Sequence, residues 1–138
     1  MTKLYVAGVI DNDNRAAIGC IIKTDLCRNK HARYHGICEL TPMAEAEALL
    51  YGLKQAEAQG LQRLEIYTQN LQVFDYIYKG VMSVQINGLD LLLHQSYHKL
   101  RTVFSDYTMH YIDVDGTDTI FNELADTLFD ILSRVDNK

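Results

Sequence analysis

The sequence predicts an α/β protein built on a five-stranded mixed sheet with helices on its faces. Three strand-like segments come first and are joined by turn residues, which favours an antiparallel meander. Helical and strand patterns then alternate along the rest of the chain, as expected where helices cover the faces of a sheet. The 138 residues contain no internal repeat and no linker, so we expect one domain over residues 1–138.

The first three elements are predicted as strands at 3–10, 17–23 and 32–40, because each is rich in β-favouring apolar residues. Residues 11–14 form a turn between the first two strands, since Asn and Asp accept positive φ and hydrogen-bond their own backbone. The basic stretch at 28–33 is expected in the hairpin between the second and third strands. These three strands should pair in order.

A helix is predicted to start at Thr41 and Pro42, with Thr41 as the N-cap and Pro42 at the first helical position. Its apolar residues recur at spacings of three and four up to Ala56, and Gly60 suits a left-handed residue at the helix end. The remaining strands are predicted at 64–68 and 108–114, and the remaining helices at 71–78, 89–104 and 119–134. The predicted order is therefore βββαβααβα.

Composition excludes several classes of protein. The chain is 48% hydrophobic and 22% charged with one proline, which excludes disordered and collagen-like chains. No apolar run approaches the roughly 20 residues of a membrane-spanning helix. The cysteines Cys20, Cys27 and Cys38 lack metal-ligand spacing and are interpreted as reduced thiols. The chain enters a strand pattern directly, with no signal peptide, so we expect a cytoplasmic protein.

Charge is distributed unevenly along the chain. The formal net charge is −5, so a general affinity for nucleic acid does not follow from the total. Residues 1–40 carry six basic and four acidic residues, whereas residues 41–138 carry seven basic and fourteen acidic ones. A surface for a polyanion is therefore expected in the N-terminal part.

Three local patterns occur in a fixed order on the predicted elements. The first helix contains Ala44-Glu45-Ala46-Glu47-Ala48-Leu49-Leu50-Tyr51-Gly52-Leu53, the fourth strand contains Leu64-Glu65-Ile66-Tyr67-Thr68-Gln69-Asn70, and the last helix contains Asn122-Glu123-Leu124-Ala125-Asp126-Thr127-Leu128. Together with the element order, these patterns resemble the ribonuclease H family from about Leu4 to Leu132. The resemblance implies the fold of that family and its two-metal hydrolysis of RNA–DNA hybrids.

The resemblance also locates the catalytic positions. Glu45 and Asp126 match metal-binding carboxylates, whereas Ala7 and Gln69 stand where the family has aspartates. Two-metal hydrolysis holds two divalent ions about 3.5–4 Å apart, and Mg²⁺ prefers charged oxygen ligands. With two of the four carboxylates replaced, the expected cofactor is none, or a weakly bound Mg²⁺ or Mn²⁺ at Glu45 and Asp126.

Substrate contacts are changed as well. The family commonly has Thr-Asn-Asn before its Ala-Glu pair, and here this segment is Thr41-Pro42-Met43. The loop at 113–118 is acidic and has no histidine, and His110 is interpreted as an ordinary strand residue. The candidate nucleic-acid contacts are Arg28, Lys30, Arg33 and Thr41, with a solvated turn as the structural alternative for the basic stretch.

Three functions remain open at this point. The first is a ribonuclease H-like pseudoenzyme with a degenerate active site that binds RNA–DNA hybrid or duplex RNA, or serves as a scaffold. The second is an active hybrid endoribonuclease in which Asp11 or Asp13 replaces a lost carboxylate; turn stabilisation is the structural alternative for these two residues. The third is a self-associating protein, a homodimer without a nucleic-acid partner, in which some of the nine tyrosines line the interface.

Overall fold

A computed structural model describes residues 2–136 of the chain. Met1 lies outside the described residues. The N-terminal segment, for which no signal peptide is expected, begins at this residue. The elements follow the predicted order: β1 Thr2–Ile10, β2 Arg15–Lys23, β3 Arg28–Ile37, α1 Thr41–Ala58, β4 Arg63–Thr68, α2 Leu71–Lys79, α3 Leu89–Thr102, β5 Asp106–Tyr111 and α4 Thr119–Asp136. Within the described residues, no helix is long and apolar enough to span a membrane.

The five strands form one mixed sheet with the order β3-β2-β1-β4-β5. β1 pairs antiparallel with β2, and β2 pairs antiparallel with β3, as the predicted meander requires. β4 lies parallel to β1, and β5 lies parallel to β4. The predicted mixed α/β sheet is confirmed.

Helices cover both faces of the sheet, because side chains alternate between the faces along each strand and each face carries apolar residues. The coverage of the two faces is unequal. α1 and α3 pack on the face that carries Leu4 and Val6 of β1. α4 packs on the other face, against Tyr5 and Ala7 of β1, through a buried stripe. That stripe consists of Phe121, Leu124, Leu128 and Leu132.

Several predicted bounds are wrong. β3 starts at Arg28 rather than at residue 32 and ends at Ile37, so the basic stretch lies in a strand and not in the hairpin. Pairing with β2 extends as far as Arg28↔Lys23, because a strand at the sheet edge can carry polar side chains into solvent. β5 likewise covers 106–111 rather than 108–114, which is the segment that pairs with β4.

The N-cap prediction for Thr41 is also wrong. The N-cap is Leu40, whose backbone is extended, and it makes no side-chain capping bond. The carbonyl of Leu40 accepts the first helical bonds, from Met43 N at 3.0 Å and Ala44 N at 3.3 Å. Thr41 is therefore already inside the helix. The left-handed conformation predicted for Gly60 is confirmed, with φ of +73°.

Candidate functional site

Four strand ends meet at one end of the sheet. β1, β3, β4 and β5 run in the same direction, so the segments that follow them lie together. We call the segments 11–14, 38–40, 69–70 and 112–118 the loop end. Contacts across it include Cys38 N to Asn14 O at 2.7 Å, and Gln69 Nε2 to the Asp113 carbonyl at 3.5 Å. Ligands of α/β sheets commonly bind at the carboxyl ends of strands, and α1 with Glu45 starts here.

Glu45 is buried at this end of α1, with 7% of its surface exposed. The backbone N–H of Gly8 donates to its carboxyl group, and its Oε2 is buried without a hydrogen-bond partner. Burial raises the pKa of Glu45 to about 8, and the bond from Gly8 opposes part of that increase. The carboxyl group is therefore largely protonated at neutral pH.

Gly8 explains how Glu45 comes to be buried. A Cβ added at Gly8 would lie 2.5 Å from the carbonyl oxygen of Ala44, which is a forbidden distance to a backbone atom. The absence of a side chain at Gly8 thus lets the first turn of α1 rest directly on β1. The contact holds the residue after Ala44 against the strand.

Ala7 and Gln69 lie at the two positions matched to lost aspartates. Ala7 is buried on the sheet face covered by α4. Tyr5 and Tyr67 are the last residues paired between β1 and β4, and Ala7 and Gln69 each follow them by two residues. Gln69 is half-buried, and its amide donates to the Asp113 carbonyl. These two positions therefore carry a methyl group and an amide that is engaged with a backbone carbonyl.

Asp126 lies on the outer side of α4. It is midway between Leu124 and Leu128, and two residues correspond to about 200° of rotation around a helix. Leu124 and Leu128 are fully buried, whereas Asp126 is exposed. α4 and α1 cover opposite faces of the sheet. Within residues 2–136, no group of three or more His, Cys, Asp and Glu side chains is placed to hold a metal ion.

Asp118 is a residue at this end that the sequence reasoning did not single out. Its Oδ1 accepts from Ile120 N at 3.0 Å and from Phe121 N at 2.9 Å, which caps α4. Burial first, and then the charge of Asp118, raises the pKa of Tyr5. An Asp immediately before the predicted helix was the available signal for this cap.

Asp11 and Asp13 stabilise the turn between β1 and β2. Asp11 Oδ1 accepts from Asp13 N at 2.9 Å and from Arg15 N at 3.0 Å. The Arg15 guanidinium forms ion pairs with Asp11 at 2.9 Å and with Asp13 at 3.1 Å. The backbone N–H of Arg15 is the largest of the causes that lower the pKa of Asp11. Both carboxylates are thus engaged in the way that the turn interpretation requires.

The four candidate nucleic-acid contacts do not form one surface. Arg28 and Lys30 lie on the α4 side of β3, where they approach Glu123 at 2.8 Å and 3.9 Å. Arg33 lies on the other side, with its guanidinium 5.2 Å from the centre of the Tyr51 ring. Thr41 is exposed at the loop end, whereas β3 starts with Arg28 at the opposite end of the sheet.

Aromatic side chains form a row across the sheet on the face that α4 covers in part. Tyr5 stacks on Tyr67, and Tyr67 stacks on His110, with ring centres 4.7 Å apart in both cases. Phe121 of α4 meets Tyr5 edge-on at 5.6 Å. The interpretation of His110 as a strand residue is confirmed, since it lies in β5.

The loop end is acidic. Arg15, a basic residue here, is paired with Asp11 and Asp13. The second turn of α1 adds Glu47 to this end, whereas the carboxyl group of Glu45 is largely protonated. The carboxylate side chains of the loop segments are Asp11, Asp13, Glu39, Asp113, Asp115 and Asp118.

Taken together, the sheet order, the helix α1 that carries Glu45 and the last helix α4 define a ribonuclease H-like protein. The sequence profile of the family described as Reverse transcriptase-like matches residues 5–128, and the chain belongs to this family. The search of curated protein sequences found no match.

Solved structures with the same fold include ribonuclease H1 enzymes. The enzyme from Halobacterium salinarum NRC-1 has a TM-score of 0.79 at 19% identity, over 96% of this chain and 98% of that one. A ribonuclease H1 isolated from compost has a TM-score of 0.80 at 17% identity, over 97% and 96% of the two chains. The compost enzyme in complex with an RNA/DNA hybrid gives 0.76 at 18% identity, over 90% and 93%. At these identities the likeness shows the fold.

Proposed function

We propose that this protein is a pseudoenzyme of the ribonuclease H-like superfamily, which binds a partner and does not hydrolyse phosphodiesters with two metal ions. The observation that carries the proposal is the set of donors at the four matched positions. Ala7 offers no ligand atom, Gln69 offers a neutral amide, and Asp126 is exposed on the outer side of α4. Of the four, Glu45 alone provides a carboxyl group buried against β1.

This donor set does not fit a pair of divalent cations. Mg²⁺ and Mn²⁺ need several oxygen ligands, preferably charged, and two such ions need enough negative charge between them to lie about 3.5–4 Å apart. Asp11 and Asp13, the compensating carboxylates of the nuclease alternative, both pair with Arg15, and Asp11 also accepts from two backbone N–H groups. We therefore propose no bound metal, or a weakly bound single ion.

The charge at the loop end bears on where a nucleic acid could bind. A nucleic-acid backbone is attracted by cations that neutralise its phosphates. The loop end carries several acidic side chains, and its basic residue Arg15 is engaged with Asp11 and Asp13. A polyanion approaching this end meets repulsion.

The first prediction concerns cleavage. We expect the purified protein to leave a labelled RNA–DNA hybrid intact with Mg²⁺ or Mn²⁺, because the ligands for two ions are missing. We expect the double substitution Ala7→Asp with Gln69→Asp to give a thermal stabilisation by Mn²⁺ that the natural chain lacks. Differential scanning fluorimetry with and without Mn²⁺ measures it.

The matched control is Ala7→Asn with Gln69→Asn, which has similar volumes and no added charge. Stabilisation of this control by Mn²⁺ to the same extent would contradict a charge deficit at the site. Cleavage of the hybrid by the natural chain, abolished by Glu45→Gln, would overturn the proposal and establish a working hydrolase.

A second candidate function is nucleic-acid binding at the β3 edge. The observation that favours it is the pair of exposed cations Arg28 and Lys30 on the α4 side of this edge strand. A solved neighbour of the same fold carries an RNA/DNA hybrid, and we propose hybrid or duplex RNA as the ligand.

We also propose a cytoplasmic location, because all three cysteines are free thiols.

A further inference from the structure

The two outer strands of the sheet differ in how their free edges are protected. β3 carries Arg28, Lys30 and Arg33, and its pairing with β2 contains an irregularity at Ala16/Ala17. Charged side chains and bulges of this kind prevent an edge from pairing with another chain. β5 pairs with β4 without a register shift and carries no Lys, Arg or Pro. The β5 edge thus lacks the protection that the β3 edge has.

The backbone of β5 presents a regular row of N–H groups along the outer edge of the sheet. Asp106 N donates to Gln62 O, and Ile112 N donates to Thr68 O, so the even-numbered residues of this segment point their N–H groups toward β4. Because N–H groups alternate in direction along a strand, those of Tyr107, Met109 and Tyr111 point away from the sheet.

A groove of ≈ 740 Å³ runs along this edge between β5 and α2. Four of its lining residues are tyrosines, and Phe74 and Ile77 of α2 supply apolar surface. Tyrosine is enriched at protein interfaces, where its ring is buried and its hydroxyl stays at the rim. The four tyrosines are Tyr67, Tyr78, Tyr107 and Tyr111.

We propose that β5 pairs antiparallel with β5 of a second copy of this chain, around a two-fold axis at Met109. This register places Tyr107 opposite Tyr111 of the other copy and Met109 opposite itself. Each residue whose N–H group points outward then lies opposite a residue of the other copy whose N–H group also points outward. Hydrogen-bonded antiparallel pairs require this arrangement. The result is a continuous sheet formed by two protomers, and it goes beyond the proposed function.

The side chains in this register argue for a second copy as the occupant. Asp106 is the acidic residue of β5 and lies at its start. In the antiparallel pair it faces position 112 of the other copy, an isoleucine, so no like charges oppose each other. Thr108 faces His110, so no acidic side chains oppose each other at this pair either. The strand is thus complementary to itself.

The size of the interface sets the expected strength. One strand pair with flanking side chains belongs to the small class of interfaces, below about 1,200 Å². We therefore expect a dissociation constant of about 1–100 µM rather than a permanent dimer. Sedimentation velocity over a concentration series should show a shift from the 15.8 kDa monomer toward twice that mass.

A charge on the edge strand tests where the dimer forms. Thr108 is exposed on β5, and Thr108→Lys places a cation opposite His110 of the other copy. We expect this variant to weaken association at least tenfold. The matched control is Thr102→Lys, which puts the same charge on an exposed threonine at the end of α3. The control should associate like the natural chain.

Amide exchange gives a second measurement that needs no substitution. The amides of Tyr107, Met109 and Tyr111 should gain protection as concentration rises, whereas those of Thr108 and His110 should be protected at every concentration. A mass that stays monomeric at 500 µM, or a dimer whose odd-numbered β5 amides exchange freely, overturns the proposal. Equal association of the Thr108→Lys and Thr102→Lys variants overturns it as well.

Discussion

Glu45 is the residue whose chemistry depends most on its surroundings. Its carboxyl group is buried between α1 and β1, receives a bond from Gly8 N, and leaves Oε2 without a partner. Taking a carboxylate out of water is costly unless a cation or several donors replace the solvent. The pKa of Glu45 is therefore raised to about 8.

This pKa predicts a pH-dependent stability. In the unfolded chain Glu45 has its usual pKa near 4.5, so between about pH 4.5 and 8 the unfolded state loses a proton that the folded state keeps. The free energy of unfolding then falls as pH rises through this window, by about 3–5 kcal/mol in total. Glu45→Gln has no proton to lose. Urea unfolding at pH 5 and pH 8 should show a smaller decrease for this variant than for the natural chain.

Glu47→Gln is the control, since Glu47 lies on the same helix and is more exposed. It should keep the decrease between pH 5 and pH 8. If Glu45→Gln also keeps it, the proton on Glu45 is not the cause of the decrease and the raised pKa is contradicted.

Sequence reasoning had mixed success with individual residues. The absence of carboxylates at positions 7 and 69 could be seen directly in the sequence, and their register follows from the pairing of β1 with β4. The exposure of Asp126 could not be predicted from its motif, because packing of Leu124 and Leu128 on the sheet decides which side of α4 faces outward. The pairing of Arg28 with Glu123 joins residues far apart in sequence and needed the fold.

At the scale of elements, the close contact between α1 and β1 depends on two glycines. A Cβ at Gly8 would meet the Ala44 carbonyl oxygen at 2.5 Å, whereas a Cβ at Gly52 would first meet the side-chain Cγ1 of Val6 at 2.8 Å. The Ala44 carbonyl oxygen is a backbone atom and cannot move unless the whole first turn of α1 moves. The Val6 side chain can rotate away.

We therefore predict that Gly8→Ala destabilises the protein more than Gly52→Ala. The expected losses in the free energy of unfolding are about 3 kcal/mol for the first and about 1 kcal/mol for the second. Chemical denaturation of the two variants beside the natural chain measures the difference. A smaller loss for Gly8→Ala would mean that α1 does not rest on β1 as closely as the contact with Ala44 indicates.

The elements themselves were largely predictable. Apolar periodicity gave the order and type of each one, because long helices and buried strands have strong patterns. The errors lie at edges, where β3 extends over the polar residues 28–31 and β5 starts at Asp106. Edge strands expose one side to water, so pairing and not hydrophobicity decides where they begin.

Charge is a property of the whole molecule, and it determines where a polyanion can bind. The cations of the β3 edge are partly neutralised, since Glu123 lies 2.8 Å from Arg28 and 3.9 Å from Lys30. If nucleic acid binds here, Glu123→Gln should tighten binding of a labelled hybrid by releasing both cations. Arg28→Glu with Lys30→Glu should weaken it and reduce the slope of log K against log salt by about 2.

Fluorescence anisotropy over a series of salt concentrations measures these effects. The matched control is Lys54→Glu with Lys79→Glu, the same charge change on α1 and α2. Equal weakening by both double variants would show that total charge matters and that the β3 edge is no specific surface. If none of the variants binds the hybrid, the proposal of a nucleic-acid ligand is contradicted and the scaffold role remains.

The position of β1 in the sheet has a consequence for synthesis on the ribosome. β1 lies between β2 and β4, but β4 begins at Arg63, long after β2 has been made. At a translation speed of roughly 5–20 residues per second, several seconds pass before the nascent chain supplies the second neighbour. During that interval the β1–β2–β3 meander exposes the edge of β1, the strand that later lies at the centre of the sheet. Intermediates with an exposed strand edge are the kind to which chaperones bind.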